Sequence, residues 1–338
     1  MTTEQIVQWR LAGHHLLEPS EVETVVKDLC GLQAQFLSHA LYGLQIRCGS
    51  VSTDGLIKSW TNRGTMHIFS QSDLPLFFHK GRTHFLRPVD SMDTDAFITA
   101  KRKAYFADLI LTSVAAGICQ RDALKAVCME AGLTEGESKS VFDPWGGIIR
   151  ALCQEGKLCH MTQQHKAYRI CPPFEPMEEQ AAWLEMAHRY FLNFGPATVK
   201  DAAYFFGTTQ SKVRSWLQKL PVSETEINGK TGVYIRDERI LPGSIPKCLL
   251  LGGFDQLMLG YEKTESLLLH PDHMRKVFSL SGIVRPTVLI NGRVAGCWNK
   301  KNRKLNVMLF QPVDQEAIRE AAQKIWGHDL LLSFELWD

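Results

Sequence analysis

A run of helices that ends in a strand or hairpin leaving the last helix through a tight turn occurs three times between Met1 and Leu241, and that order constrains the fold more than any single motif. In the first pass, residues 4–13 and 20–31 carry apolar side chains at helical spacing: Ile6, Trp9 and Leu11, then Val22, Val25, Val26 and Leu29. Ser20 is the expected N-cap of the second run, with Glu23 completing a capping box. A helix from about 35 to 46 is predicted next, then a short helix over 52–60 that Arg63-Gly64 terminates, then a strand over 65–70. The second pass predicts helices over 96–116, 121–129 and 147–155, and strands over 156–161 and 166–170 around Thr162-Gln163-Gln164-His165. In the third, helices over 178–191, 198–206 and 210–220 precede a hairpin turning at Asn228-Gly229, the strongest short hairpin signal available. Three helices and a hairpin make the winged-helix variant of helix-turn-helix, in which the third helix usually enters the DNA major groove.

Prolines mark two linkers, Cys171-Pro172-Pro173-Phe174-Glu175-Pro176 and Leu241-Pro242-Gly243-Ser244-Ile245-Pro246. Beyond the second the pattern changes to strands over 248–251, 287–290, 293–298 and 304–310, with Asn291-Gly292 as a two-residue hairpin turn. A helix over 315–325 and a strand over 330–336 close the chain. The expected fold class is therefore α+β. Winged-helix units span 1–90, 91–175 and 176–244, and a small β-rich, barrel-like domain spans 245–338.

Composition excludes more than it selects. The chain is 45% apolar and 22% charged, as in ordinary soluble domains, and no apolar run is long enough to cross a bilayer. Met1-Thr2-Thr3-Glu4-Gln5 lacks the basic start and apolar core of a signal peptide. Nine scattered cysteines with no Cys-x-x-Cys fit reduced thiols in a cytoplasmic protein better than disulfides or a zinc site. His270-Pro271-Asp272-His273 offers no helical i, i+4 pair and no partner ligand, so no metal is expected there. The net charge of +2 does not announce a nucleic-acid binder, but its distribution is uneven. Arg285, Arg293, Lys300, Lys301, Arg303 and Lys304 fall in one stretch without an acidic residue. Smaller clusters are Lys80, Arg82, His84 and Arg87, and Lys101-Arg102-Lys103. Together they point to a local phosphate-binding surface.

The stretch richest in chemistry is Leu29-Cys30-Gly31-Leu32-Gln33-Ala34-Gln35-Phe36-Leu37-Ser38-His39-Ala40. It sets two amides one residue apart among apolar neighbours, where each would need partners if buried. They either brace backbone groups between helices or serve a site. An i, i+2 pair does not share a helix face, so for both to meet one substrate the stretch must be extended or turned near Gly31.

Gln33-Ala34-Gln35 resembles the Gln-apolar-Gln motif of the AlkZ-type tandem winged-helix DNA glycosylases. The resemblance extends to Arg63-Gly64-Thr65-Met66-His67, to Phe254-Asp255-Gln256-Leu257-Met258-Leu259-Gly260-Tyr261 and to the segment from Pro286 to Trp298. It implies three winged helices and a β-barrel that bind DNA and release alkylated purines, crosslinked ones included. A sibling branch of the family carries Asp where this chain has Gln35. A carboxylate can take a proton from water, whereas an amide can only position it. The expected enzyme is thus a cofactor-free, metal-free monomer acting on double-stranded DNA with N-alkylated bases. Gln33 and Gln35 would divide the positioning of water between them, and the substrate range would be confined to labile cationic adducts. Arg63 and His67 are candidates for phosphate contact. Asp255 either caps a turn or stabilises a sugar cation. Arg293, Lys300, Lys301, Arg303 and Lys304 are candidate phosphate ligands. The rival readings are a winged-helix transcription regulator without catalysis and a protein-interaction platform.

Overall fold

The structure, a computed structural model, describes residues 1–82, 98–144, 147–163, 166–238, 240 and 243–337. It opens with helices α1 (Thr3–Gly13) and α2 (Val22–Asp28), a two-residue strand β1 (Leu32–Gln33) and helix α3 (Leu37–Cys48). Strands β2 (Leu56–Trp60) and β3 (Met66–Ser70) lead to a single-turn helix, α4 (Leu74–Phe77). Four helices come next: α5 (Ala100–Ala115), α6 (Arg121–Glu130), α7 (Glu135–Val141) and α8 (Ile148–Gln154). After strands β4 (Leu158–His160) and β5 (Tyr168–Ile170) come α9 (Glu179–Asn193), β6 (Ala197–Thr198), α10 (Val199–Phe206) and α11 (Gln210–Leu217). The hairpin β7 (Ser223–Ile227) and β8 (Lys230–Tyr234) turns at Asn228 and Gly229, both with positive φ as a type I′ turn requires. The chain ends with β9 (Cys248–Leu251), α12 (Gln256–Leu259), α13 (Met274–Val277), β10 (Thr287–Ile290), β11 (Arg293–Lys301), β12 (Lys304–Leu309), α14 (Gln315–Trp326) and β13 (Leu331–Leu336).

These elements gather into two compact units, one of Met1–Ser52 with Trp183–Asp338, the other of Thr53–Ala182. In the second unit the two hairpins share one sheet, in the order β3-β2-β4-β5, with Lys58 of β2 opposite His160 of β4. Phe106, Ile110, Leu124, Cys128, Leu152 and Leu158 form its core. In the first unit α9, α10 and α11 accompany the sheet β6-β8-β7, and Tyr190, Phe194, Phe205 and Phe206 form an aromatic cluster in which Tyr190 stacks on Phe194 and Phe205 meets Phe206 edge-on. Its second sheet runs β13-β12-β11-β10-β9, antiparallel except for the parallel pair β12–β13. Ile318 and Ala322 of α14 pack against Leu250, Val288, Leu305 and Val307 of that sheet.

Four expectations are corrected. The barrel does not form among the described residues: β9 and β13 remain the two edges of an open sheet, one face of which α14 covers. Residues 52–60 are not a helix. Gly55 has φ +69° and ends a turn in which the Leu56 amide donates to the Thr53 carbonyl, so the run Leu56–Trp60 leaves extended and pairs on both sides. Arg63-Gly64, read as a helix stop, is instead the turn between β2 and β3, closed by the Thr61 amide on the Thr65 carbonyl at 3.1 Å. Ser20 caps nothing either; Glu21 occupies the N-cap of α2 and makes no side-chain cap bond. A helix that periodicity missed, α7, is signalled by the capping box of Thr134 and Glu137. Leu241 and Pro242 of the second linker, and Gln164 and His165 of the predicted β4–β5 turn, lie outside the described residues.

Candidate active site

Helix α2 ends in two consecutive left-handed residues, Cys30 at φ +52° and Gly31 at φ +76°. The Cys30 amide donates to Lys27 O at 3.1 Å and the Gly31 amide to Val26 O at 2.7 Å, so the last carbonyls of the helix are satisfied while the chain reverses. Beyond Gly31 the chain forms the two-residue strand β1 and then bends at Gln35 and Phe36 into α3. Leu32 and Ala34 turn into the core, whereas Gln33 is half-buried and Gln35 exposed. Gln33 and Gln35 are thus the two side chains of residues 32–35 that leave the core. Neither amide is engaged by another described residue, and Gln35 is no buried amide in need of a brace.

Phe36 occupies the N-cap of α3, with no side-chain cap bond, and its ring stacks on Phe254 at 5.5 Å between centroids and 25° between planes. His39, on the first turn of α3, touches both rings. Its Nδ1 accepts the Gly253 amide at 3.3 Å, and burial lowers its pKa, so the ring is neutral with its proton on Nε2. One turn on, the Tyr42 hydroxyl donates to the Leu250 carbonyl at 2.8 Å. Gly252 and Gly253 allow this approach: a Cβ on Gly252 would meet Tyr42 Cδ1 at 3.0 Å, and one on Gly253 the His39 ring at 3.1 Å. The structure therefore brings the glutamine stretch and the Phe254-Asp255 segment together on α3.

Asp255 takes the turn-capping role. Its side chain is 1% exposed and pairs with Arg47, whose side chain is 0% exposed. Arg47 Nη2 donates to Oδ1 at 2.8 Å and Nη1 to Oδ2 at 2.9 Å. Oδ1 also accepts the Leu257 amide at 2.9 Å as the N-cap of α12. Arg47 further donates to the carbonyls of His14 and Gly43. With both oxygens committed inside the core, the carboxylate is not available to a sugar cation.

His67 is fully buried in the other unit; its Nδ1 lies 3.0 Å from both Thr61 Oγ1 and Thr65 O. Burial, then the Arg63 charge, hold its pKa well below the ordinary value, so it is a neutral structural histidine. Arg63 is half-buried at the β2–β3 turn. The basic residues of the C-terminal sheet do not form one wall. Lys300, Lys301, Arg303 and Lys304 cluster at the β11–β12 turn, while Arg293 begins β11 at its other end, roughly 25 Å away for a nine-residue strand. Arg303 is paired with Asp329 at 2.8 Å, and Arg285 donates to the Lys276 carbonyl. Of the smaller clusters, Arg82 is half-buried and donates to the Phe77 and Trp60 carbonyls, and Arg102 is paired with Glu137. His84 and Arg87 lie outside the described residues. Sequence reasoning passed over Phe36, His39 and Arg47; only the first carried a signal, an aromatic directly after the second glutamine.

A family model described as DNA glycosylase AlkZ-like matches residues 26–325. The chain is 25% identical to a curated protein of Streptomyces sahachiroi named interstrand DNA cross-link repair glycosylase, over 96% of this chain and 94% of that one. The solved structure of Streptomyces sahachiroi DNA glycosylase AlkZ covers 99% of both chains at a TM-score of 0.78 and 21% identity, a likeness of fold. The chain belongs to the AlkZ-like DNA glycosylase family. It is accordingly an enzyme that hydrolyses N-glycosyl bonds in DNA.

Proposed function

We propose that this enzyme releases N-alkylated purines of the cationic N7-alkylguanine type from duplex DNA, bulky or crosslinked adducts included, with Gln33 and Gln35 positioning the attacking water. One observation carries the reading: of residues 32–35, Leu32 and Ala34 are buried while the two glutamines leave the core, unengaged by any other described residue. The name of the Streptomyces sahachiroi relative supports the crosslink part. Chemically, a purine alkylated at N7 bears a positive charge, so breaking C1′–N9 returns both bonding electrons to the ring and the base departs neutral. Little acid catalysis is needed. The site has to hold the base, favour the oxocarbenium-like sugar and deliver water to C1′. An amide oxygen accepts a hydrogen bond from that water and aims it, and the proton released on attack passes to solvent, because an amide does not take it. Duplex is held by the helix-and-hairpin segments, with the Lys300–Lys304 tip as a phosphate contact, and the enzyme acts as a monomer.

The test is base release from duplex carrying N7-methylguanine. Gln33→Ala and Gln35→Ala are expected to lower single-turnover release by at least about a hundred-fold, as loss of a water-positioning group commonly does, with duplex affinity and melting temperature kept. Equal loss of affinity and turnover would overturn the role given to the glutamines. Efficient release of a neutral lesion such as uracil would overturn the restriction to cationic bases.

A further inference from the structure

Phe36 is a large apolar ring left 46% exposed beside an exposed glutamine, at a helix position where a short polar cap is the rule. The ring below it belongs to Phe254, whose backbone is left-handed at φ +58°, a costly conformation for a bulky residue. The Phe254 amide is tied to the Val284 carbonyl at 3.2 Å, and His39 packs against both rings. Gly252 and Gly253 press this segment onto α3. Local rules are thus broken at both rings to hold one flat aromatic face in water, and such departures mark functional sites.

We propose that Phe36, carried on Phe254, is the stacking platform for the substrate base and a determinant of preference for positively charged purines. The inference rests on the reading that Gln33 and Gln35 face the scissile bond. Phe36 lies one residue beyond Gln35, so a base held there has its sugar within reach of the amides. An aromatic face stacks any nucleobase and changes affinity by about 5- to 150-fold per base. Its negative quadrupole adds attraction for an N7-alkylated cation that a neutral purine does not receive. An aliphatic side chain of similar size gives the apolar contact without that attraction. A platform, unlike an enclosing pocket, also leaves room for a base whose other face carries a bulky adduct.

The decisive comparison uses the full chain and its Phe36→Trp, Phe36→Leu and Phe36→Ala variants. Single-turnover release is measured on duplex with N7-methylguanine, and fluorescence on the same duplex with 2-aminopurine at the lesion position. Phe36→Leu and Phe36→Ala are expected to lose release about 5- to 150-fold and to lose the 2-aminopurine change on binding, while Phe36→Trp retains both. Affinity for undamaged duplex and melting temperature should stay within two-fold and within 2 °C of the parent, roughly the margin of a surface substitution. Full activity in Phe36→Leu overturns the proposal, since bulk alone would then suffice, and so does an equal loss of affinity for undamaged duplex. A parent protein that releases no base defeats the proposed function but not the platform. In that case the 2-aminopurine change decides: its loss in Phe36→Ala upholds stacking, and its persistence refutes it.

Discussion

Removing Asp255 should unfold the enzyme before it changes the chemistry. The Arg47 guanidinium, with its side chain fully out of solvent, gives two of its four hydrogen bonds to that carboxylate. In Asp255→Ala the cation stays in the core with bonds only to the His14 and Gly43 carbonyls, and α12 loses its N-cap. Breaking a buried pair from one side costs about 3–5 kcal/mol, and a lost cap about 1 kcal/mol where the two effects do not overlap. For a unit of roughly 200 residues each kcal/mol lowers the melting temperature by about 2–4 °C, so a fall on the order of 10–15 °C is expected in calorimetry. Single-turnover base release, assayed well below both transitions, should stay within a few-fold of the parent. Arg47→Met combined with Asp255→Leu should recover more than half of the lost stability, since an apolar pair no longer strands a charge, although the His14 carbonyl loses its donor. A melting temperature within 1 °C of the parent together with abolished release would refute the reasoning and return Asp255 to the chemistry.

Gly31→Ala places a Cβ in a left-handed backbone and should cost about 1–2 kcal/mol, with base release falling further than the stability loss explains because the glutamine strand is re-aimed. Gly31→Asn, which tolerates that backbone, should do less harm, and equal damage from both would argue against the backbone cause. Acid should destabilise the fold early. His14 and His67 are buried and neutral, with pKa lowered first by burial and then by neighbouring arginines. Unfolded, each takes a proton near pH 6.5; folded, only at lower pH. Their contribution is therefore whole above about pH 6.5 and is lost below it, approaching about 1.4 kcal/mol per histidine per pH unit. Melting curves from pH 7.5 to 5 should show this slope, and His67→Asn should flatten it; a slope unchanged by that substitution would remove His67 as a cause.

Where the residues themselves carried a local instruction, the sequence could be read directly. Asn228-Gly229 and Asn291-Gly292 both turn hairpins, and α5, α6, α10 and α14 lie within a few residues of their apolar periods. Helical geometry alone required the Gln33–Gln35 stretch to be extended or turned, and the stretch leaves α2 as the two-residue strand β1 and bends at Gln35. Tertiary pairing decided the failures. Leu56–Trp60 has a short apolar spacing compatible with either period, and pairing with β3 and β4 on both sides selects the strand. Nothing local tells an open five-stranded sheet from a barrel, because closure depends on strand stagger. Charge runs were legible only in part for a related reason: of the cations adjacent in sequence, Arg102, Arg303 and Arg82 are engaged by Glu137, Asp329 and the Trp60 carbonyl, partners no sequence window shows. The partner of Asp255 lies 208 positions away, and no spacing rule reaches that far.

The same distance explains how the candidate site holds its shape. Two segments remote in sequence, one ending at Phe36 and one running from Leu250 to Asp255, each contain non-glycine backbone in the left-handed region, at Cys30 and Phe254. Left-handed backbone at a bulky residue persists only where its surroundings over-determine it. Here the surroundings are one helix. His39, Tyr42 and Arg47 succeed one another along it at spacings of three and five and bind the Gly253 amide, the Leu250 carbonyl and the Asp255 carboxylate in turn. Helix α3 thus fastens the segment under Phe36 at three points. None of the three needs to touch DNA for the glutamines and the ring to be fixed relative to one another. The Arg47–Asp255 pair acts mainly on stability, whereas loosening the His39 or Tyr42 contact, nearer Phe36, should reduce turnover through geometry while leaving duplex affinity in place.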